Sequence, residues 1–122
     1  MTVTRAGQVV HAYLNALAER DFDRARTYLA DAGFRYRSPV SAIDGADAYM
    51  QDISRVWPIL EGIERRKTFI SDNEVCDILN IKTRMSDLRI TPLVHWATVE
   101  SGKIITVEVF YDAREYAAMF AS

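Results

Sequence analysis

The stretch Thr91-Pro-Leu-Val-His-Trp-Ala-Thr-Val-Glu-Ser-Gly-Lys-Ile-Ile-Thr-Val-Glu-Val-Phe-Tyr-Asp112 decides the fold. It contains two runs of apolar and β-branched residues joined by Ser101-Gly102, a pair that is typical of a tight turn. The pattern predicts a β-hairpin. Behind an amphipathic N-terminal helix, such a hairpin forms the curved wall of a cone-shaped α+β domain, and a cone of this kind encloses a pocket.

The remainder of the chain supplies the helix and the other strands. Apolar residues at helical spacing predict helices, and strict alternation predicts strands. We predict helices over residues 4–17, 21–29 and 46–57, strands over 34–38, 63–71, 75–85, 90–100 and 103–111, and a short closing helix over 113–120. Helices kept to one face of a mixed or antiparallel sheet define the α+β class.

Composition limits the possible functions. A chain of 122 residues with 49% hydrophobic residues fits a single domain, residues 1–122. The formal net charge of -2 argues against a nucleic-acid partner. No apolar run approaches the roughly 20 residues that cross a bilayer, so we expect no membrane partner. Cys76 has no second cysteine to pair with, and a cytoplasmic protein is the expectation.

Neither a metal nor a cofactor is expected. His11 and His95 are the two histidines, and they fall on different predicted elements. Neither has carboxylates at the spacing of a metal site. The Arg65-Arg66-Lys67 run is basic, but neighbours in a strand point to opposite faces, so the run does not form one patch.

The order of elements (helix, helix, strand, helix, four strands) resembles the nuclear-transport-factor-2-like superfamily, the cystatin-like cone. Within it, the chain looks most like the SnoaL-like polyketide cyclase and ketosteroid isomerase branch. The residues that carry the likeness are Tyr13-Leu-Asn-Ala-Leu-Ala-Glu-Arg-Asp-Phe-Asp23, Ser38-Pro39, Asp44-Gly45, Ser101-Gly-Lys-Ile-Ile105 and Val109-Phe-Tyr-Asp112. The resemblance implies a single SnoaL-like domain, with three N-terminal helices packed on a strongly curved, mixed but mostly antiparallel sheet.

The resemblance also implies that the isomerase machinery is missing. In ketosteroid isomerases a tyrosine of the first helix and an acid on the sheet hold the enolate, while a carboxylate just before a proline moves the proton. Tyr13 matches the tyrosine, Ser38 stands at the base, and Val94 stands at the second acid. A serine without a neighbouring base cannot shuttle a proton near neutral pH, and a valine cannot donate to an oxyanion. That mechanism is therefore disfavoured, and whether the chain is an enzyme stays open.

Alternation along the strands and periodicity along the helices predict the pocket lining. The predicted ligand-binding residues are aromatic and apolar with a few hydroxyls, as in pockets for largely apolar molecules: Tyr13, Leu17, Phe34, Tyr36, Ser38, Tyr49, Ile53, Trp57, Val94, Trp96, Val107, Val109 and Tyr111. The alternative is that these side chains fill the cone. Tyr13 is the best candidate for orienting a ligand carbonyl, unless it is a core tyrosine bonded to a protein acceptor.

Tyr13, Tyr36 and Asp77 are weak candidates for catalysis. Asp77 interrupts an otherwise apolar strand. Inside the cone its pKa would be raised and would indicate a functional site, whereas near a turn it would face water. Alternation with Val94 and Trp96 predicts that His95 lies on the outer face, at the surface or in a subunit interface.

Three functions remain open. The first is a domain that binds a largely apolar small molecule, with catalysis unproven. The second is an enzyme of cyclase, isomerase or dehydratase type that acts on a carbonyl-containing molecule through non-standard residues. The third is a protein-interaction module with a filled core. Phe110, together with Leu93 and Ala97 beside His95, predicts an apolar stripe on the outer sheet face, and hence a homodimer through that face.

Overall fold

The computed structural model describes residues 5–84 and 86–114, and only the backbone of Val56 and Trp57. Its helices are α1 (Arg5–Ala18), α2 (Phe22–Arg26) and α3 (Ala46–Val56), with a 3₁₀ turn at Trp57–Ile59. Its strands are β1 (Arg35–Arg37), β2 (Ala42–Asp44), β3 (Leu60–Ser71), β4 (Glu74–Arg84), β5 (Leu88–Glu100) and β6 (Lys103–Phe110). The closing helix predicted over 113–120 lies almost entirely outside the described residues.

The strands form one sheet in the order β2-β1-β6-β5-β4-β3. Among the described strands, β1 and β6 pair in parallel and the other neighbours pair antiparallel. Three helices therefore pack on a curled, mixed but mostly antiparallel sheet, and the predicted α+β cone is confirmed. None of the helices within the described ranges is long and apolar enough to cross a membrane.

Two local differences from the prediction have simple causes. Strand β2 was not predicted, because pairing with β1, and not a pattern in its own three residues, makes it a strand. Helix α2 ends at Arg26 rather than continuing to Leu29. The chain turns there, so that Leu29 forms a bridge with Ile104 of β6. The cap of α2 is as expected, since the Asp21 side chain accepts from the Arg24 backbone N–H.

The core lies between α1 and the concave face of the sheet. Helix α1 contributes a buried stripe, and the central strands contribute small and β-branched side chains that meet it. The principal members are Val10, Tyr13, Leu14, Leu17, Val75, Leu79, Ala97, Val99, Ile104 and Val107. Towards α3, the two layers separate and leave a cavity.

The register of β4 against β5 determines which side chains enter that cavity. Asp77 lies opposite His95, with Val75 opposite Ala97 and Leu79 opposite Leu93. Directly opposed residues project to the same face of a sheet. Since Val75, Leu79 and Ala97 are buried, this whole set faces the interior. The odd-numbered residues of β5 from Thr91 to Val99 therefore point inward.

Candidate functional site

A cavity of about 640 Å³ lies between the helices and the concave face of the sheet. Its wall is mostly apolar, with hydroxyls, one imidazole and one ion pair added. The lining residues are Leu14, Leu17, Tyr36, Ser38, Val40, Ser41, Tyr49, Asp52, Ile53, Arg55, Ile59, Leu60, Ile63, Leu79, Ile81, Thr83, Thr91, Leu93, His95, Val109 and Tyr111. The side chains within the described ranges thus leave the interior of the cone unfilled, in contrast to the filled-core alternative.

Seven of the predicted lining residues lie in the cavity wall: Leu17, Tyr36, Ser38, Tyr49, Ile53, Val109 and Tyr111. Tyr13, Phe34 and Val107 do not reach it, because they are buried in the core behind the wall. The side chain of Trp57 lies outside the described part of the structure. Periodicity places a residue on an inward face, but it does not separate the packed core from the cavity wall.

The predictions for Val94 and Trp96 were wrong. Both residues lie on the outer face, where Val94 is opposite Phe110 and Trp96 is opposite Glu108. The Trp96 ring is 40% exposed, and its Nε1–H donates to Glu74 Oε1 at 2.9 Å. The phase of β5 was misassigned because apolar residues occupy both faces of this strand. The side chain at position 94 therefore cannot take part in the cavity, and the neighbouring residue that points inward is His95.

Three tyrosines, Tyr13, Tyr36 and Tyr49, form a cluster beside the cavity. Burial raises the pKa of Tyr13 and Tyr49, and their hydroxyl oxygens are 2.6 Å apart. The Tyr49 ring packs against Tyr36, with ring centroids 4.6 Å apart. Tyr13 is thus a core tyrosine bonded to a protein hydroxyl, and Tyr36 and Tyr49 are the tyrosines that line the cavity.

Tyr36 and Ser38 place hydroxyls in the cavity wall. Burial raises the pKa of the Tyr36 hydroxyl to about 12, although a hydrogen bond with Ser38 opposes the shift. Ser38 Oγ also accepts from the backbone N–H groups of Ser41 and Val40, at 3.0 and 3.3 Å. The Ser38 hydroxyl therefore positions a turn, and no carboxylate or imidazole in the described part of the chain is bonded to it to make it a base. Tyr36 therefore stays protonated near neutral pH and can donate or accept a hydrogen bond.

His95 is the residue that the sequence prediction misplaced most. It was expected on the outer sheet face, at the surface or in a subunit interface, yet it is 5% exposed and lines the cavity. Neither ring nitrogen has a hydrogen-bond partner among the described residues. Burial lowers the pKa of His95 to about 4, although the nearby Asp77 carboxylate opposes this shift. At neutral pH, His95 therefore presents an uncharged imidazole.

Asp77 is inside the cone and fully buried. Its Oδ1 accepts from the Thr68 hydroxyl at 2.5 Å and lies 3.2 Å from His11 Nε2. Its Oδ2 has no partner within the described ranges. Of the two alternatives for Asp77, the structure therefore shows the interior one. Helical spacing placed His11 beside the apolar stripe of α1. In the structure, its contact with Asp77 links the carboxylate to α1.

His95 and Asp77 could have been found from one signal. Each is a polar residue within an otherwise apolar strand, and such residues are retained in a core only when they are paired or functional. Both lie on central strands of the hairpin region, where opposed residues share a face. Their pairing needed the β4–β5 register, which sequence alternation did not supply.

Other charges near the cavity come from α3. Asp52 and Arg55 both line the cavity, and they form an ion pair one helical turn apart. The Arg55 side chain is mostly exposed, so the pair adds polarity at the solvent side of the cavity. Among the residues that the structure describes, no three His, Cys, Asp or Glu side chains are grouped as metal ligands would be.

The fold has close counterparts among solved structures. A nuclear-transport-factor-2-like protein of unknown function from Burkholderia pseudomallei is 17% identical, with 98% of this chain and 100% of that chain covered and a TM-score of 0.84. An epoxide hydrolase of the LEH-like type from M. tuberculosis is 18% identical, with 97% of each chain covered and a TM-score of 0.79. A putative polyketide cyclase from Xanthomonas campestris is 18% identical, with coverages of 93% and 95% and a TM-score of 0.72.

Sequence comparison adds nothing to these structural likenesses. The chain matches no family model, and no curated protein is significantly similar to it. Identities this low relate the proteins by fold, and the fold by itself does not determine an activity. The predicted resemblance is confirmed at that level: the chain has the fold of the nuclear-transport-factor-2-like superfamily.

Proposed function

We propose that this protein binds a largely apolar small molecule in the cavity of the cone. The observation that carries the proposal is a preformed cavity of about 640 Å³ whose apolar wall includes a buried imidazole that has no hydrogen-bond partner among the residues the structure describes. Ligand pockets typically have volumes of roughly 300–1,000 Å³ and a few convergent polar groups in an apolar wall. Tyr36, Tyr49 and His95 are polar groups of this kind.

The structural relatives support the same class of function. Two of them are described as an epoxide hydrolase of the LEH-like type and a putative polyketide cyclase, and a third was co-crystallised with polyporic acid. All three have the same cone, although at 14–18% identity their substrates do not transfer to this chain. They support small-molecule binding as one use of the fold.

The proposal can be tested with a neutral, solvatochromic naphthalene ketone dye. We expect its emission to shift to the blue on binding to the wild-type protein, because the cavity wall is apolar. The variant Leu93→Trp adds an indole to the cavity wall and should weaken this binding at least tenfold. The matched control is Ile90→Trp on the same strand, since Ile90 is 55% exposed and absent from the cavity wall.

Equal binding by both variants would mean that the dye sits elsewhere, and it would remove the support for the cavity as the binding site. Loss of binding in Ile90→Trp alone would point to the outer sheet face. Denaturant unfolding of each variant serves as the check that the fold is intact.

A second candidate is an enzyme that transfers protons on a carbonyl-containing molecule. It is favoured by one observation: His95, an uncharged imidazole, lines the cavity directly opposite the Asp77 carboxylate on the next strand. A neutral imidazole can accept a proton, and an opposed carboxylate stabilises the imidazolium that forms. His95 would take a proton from a carbon next to the ligand carbonyl and form an N–H bond as the C–H bond breaks, which leaves an enolate.

Deuterium exchange tests the enzyme candidate without a known substrate. The α-protons of 2-tetralone in D₂O would be followed by NMR with wild-type protein and with His95→Asn. Wild-type exchange above the buffer rate, lost in the variant, would support catalysis. Exchange at the buffer rate with both proteins, although 2-tetralone binds, would leave a binding protein that does not enolise this ketone.

We also propose that the protein is a homodimer through the outer sheet face and that it acts in the cytoplasm. The residues that were predicted to form this interface, Leu93, His95 and Ala97, do not lie on the outer face, because they point inward. Support comes instead from Val94, Trp96 and Phe110, which cluster on the outer face, with Phe110 48% exposed. Apolar patches on a sheet mark association surfaces.

Sedimentation velocity tests the dimer. Phe110→Glu should yield a monomer at concentrations where the wild-type protein sediments as a dimer. Val40→Glu, at an exposed apolar position outside the six strands, should not change the mass. A monomeric wild-type protein, or a dimer that persists in Phe110→Glu, would contradict the proposed interface.

A further inference from the structure

The hydrogen-bonding polarity of His95 can be inferred from its neighbours. A neutral imidazole carries one N–H donor and one acceptor nitrogen, and which nitrogen is which depends on the partners. Both ring nitrogens of His95 lack partners in the described part of the protein, although the residue is 5% exposed. A buried polar group without a partner is costly, so a partner is expected for each nitrogen when the site is in use.

Asp77 supplies one of these partners. Its Oδ1 is already engaged by Thr68 and His11, while its Oδ2 is fully buried and unpartnered among the described residues. An ionised carboxylate only accepts hydrogen bonds. His95 is the residue directly opposite Asp77 on β5, and opposed side chains lie about 4.5–5.5 Å apart at Cβ. A small rotation of either side chain therefore directs the imidazole N–H to Oδ2.

Two further neighbours, Val109 and Tyr13, do not compete for the imidazole. Val109, opposite His95 on β6, has no polar side-chain atom. The Tyr13 ring lies 6.1 Å from the imidazole, centroid to centroid, and its hydroxyl is 2.6 Å from that of Tyr49. With its N–H directed at Asp77, His95 exposes an acceptor nitrogen to the cavity.

We propose that the cavity selects apolar molecules that carry a hydroxyl group, and that His95 accepts the hydrogen bond from this hydroxyl. Asp77 acts as a positioning residue, because it holds the imidazole tautomer that presents the acceptor. Thr68 and His11 hold the carboxylate in turn. This inference rests on the proposed binding function and adds the chemical class of the ligand: alcohols and phenols rather than ethers or ketones without a donor.

The experiment compares 2-naphthol with 2-methoxynaphthalene at pH 7, by calorimetry. The two probes share the ring system, but only the naphthol can donate a hydrogen bond. In the wild-type protein we expect naphthol to bind about tenfold more tightly than the ether, as one net hydrogen bond allows. His95→Phe keeps an aromatic ring and removes both nitrogens, so the preference should fall to the ratio set by the extra methyl group alone.

The role of Asp77 is read from the His95 tautomer. The ¹⁵N shifts of the imidazole should show one protonated and one unprotonated nitrogen in the wild-type protein, with the unprotonated one shifting when naphthol binds. Asp77→Asn introduces an amide that can donate to the ring, so the tautomer should change and the naphthol preference should shrink several-fold. A purely structural Asp77 would leave both the tautomer and the preference unchanged.

The outcomes separate this inference from the proposed function. If the wild-type protein binds neither of the two probes and also does not bind the naphthalene ketone dye, the proposed function fails. If both probes bind with equal affinity, the cavity is a binding site but the donor requirement is wrong. If the naphthol preference persists in His95→Phe, another group accepts the hydroxyl and the assignment to His95 is overturned.

Discussion

The burial of an uncharged His95 makes folding stability depend on pH in a defined window. The pKa of His95 is lowered from 6.5 to about 4 by burial. Between these values the unfolded chain binds a proton that the folded protein does not. Protonation therefore favours the unfolded state, and stability falls as the pH falls through this window. Below about pH 4, His95 is protonated in both the folded and the unfolded state, and its contribution to the loss of stability no longer grows.

The size of the effect follows from the two pKa values. From pH 7 to pH 5, the shift of His95 alone lowers the free energy of unfolding by about 2 kcal/mol. Other ionisable groups of the chain also titrate over this range, so the wild-type slope alone is not diagnostic. The variant His95→Asn removes the titrating imidazole, and the difference between the two slopes isolates it.

The assay is urea unfolding of wild type and His95→Asn at pH 7 and pH 5, followed by circular dichroism. We expect the wild-type protein to lose about 2 kcal/mol more than the variant on acidification. Equal losses of unfolding free energy in wild type and His95→Asn would refute the reasoning. They would be expected if His95 lay on the outer face, as alternation suggested, because its pKa would then be the same in the folded and unfolded states.

Two further predictions test the buried tyrosine pair and the register of β5. Tyr49→Phe should cost about 1–2 kcal/mol in urea unfolding, because it leaves the buried Tyr13 hydroxyl without the partner 2.6 Å away. The double variant with Tyr13→Phe should cost less than the sum of the single variants, and strict additivity would contradict the pairing. Ala97→Leu, on the inward face, should destabilise by roughly 1–3 kcal/mol through overpacking, whereas Thr98→Leu should change stability little. Similar losses for these two variants would contradict the register.

The fold could be predicted because its long elements leave unambiguous patterns. The stripe of α1 and the hairpin at Ser101-Gly102 were correct in type and nearly correct in their bounds. The three-residue strand β2 could not be predicted, since pairing with β1, and not its own sequence, makes it a strand. These outcomes show where local pattern is sufficient and where tertiary pairing decides.

The site could be predicted only in part, and the reason lies in β5. Leu93, Ala97 and Val99 are apolar on one face, while Val94 and Trp96 are apolar on the other. Alternation therefore gave no basis for choosing the phase, and a one-residue error moves every side chain to the opposite face. On β6, the inward set of Val107 and Val109 was correct, because Glu108 marks the outer face.

A crystal structure of the protein with 2-naphthol tests the central claim most directly. We predict density for the naphthalene ring within the cavity, with its hydroxyl oxygen at hydrogen-bonding distance from a His95 nitrogen and the other nitrogen directed at Asp77. A naphthol bound on the outer sheet face, or a cavity closed by rearranged side chains with His95 turned away, would contradict the account.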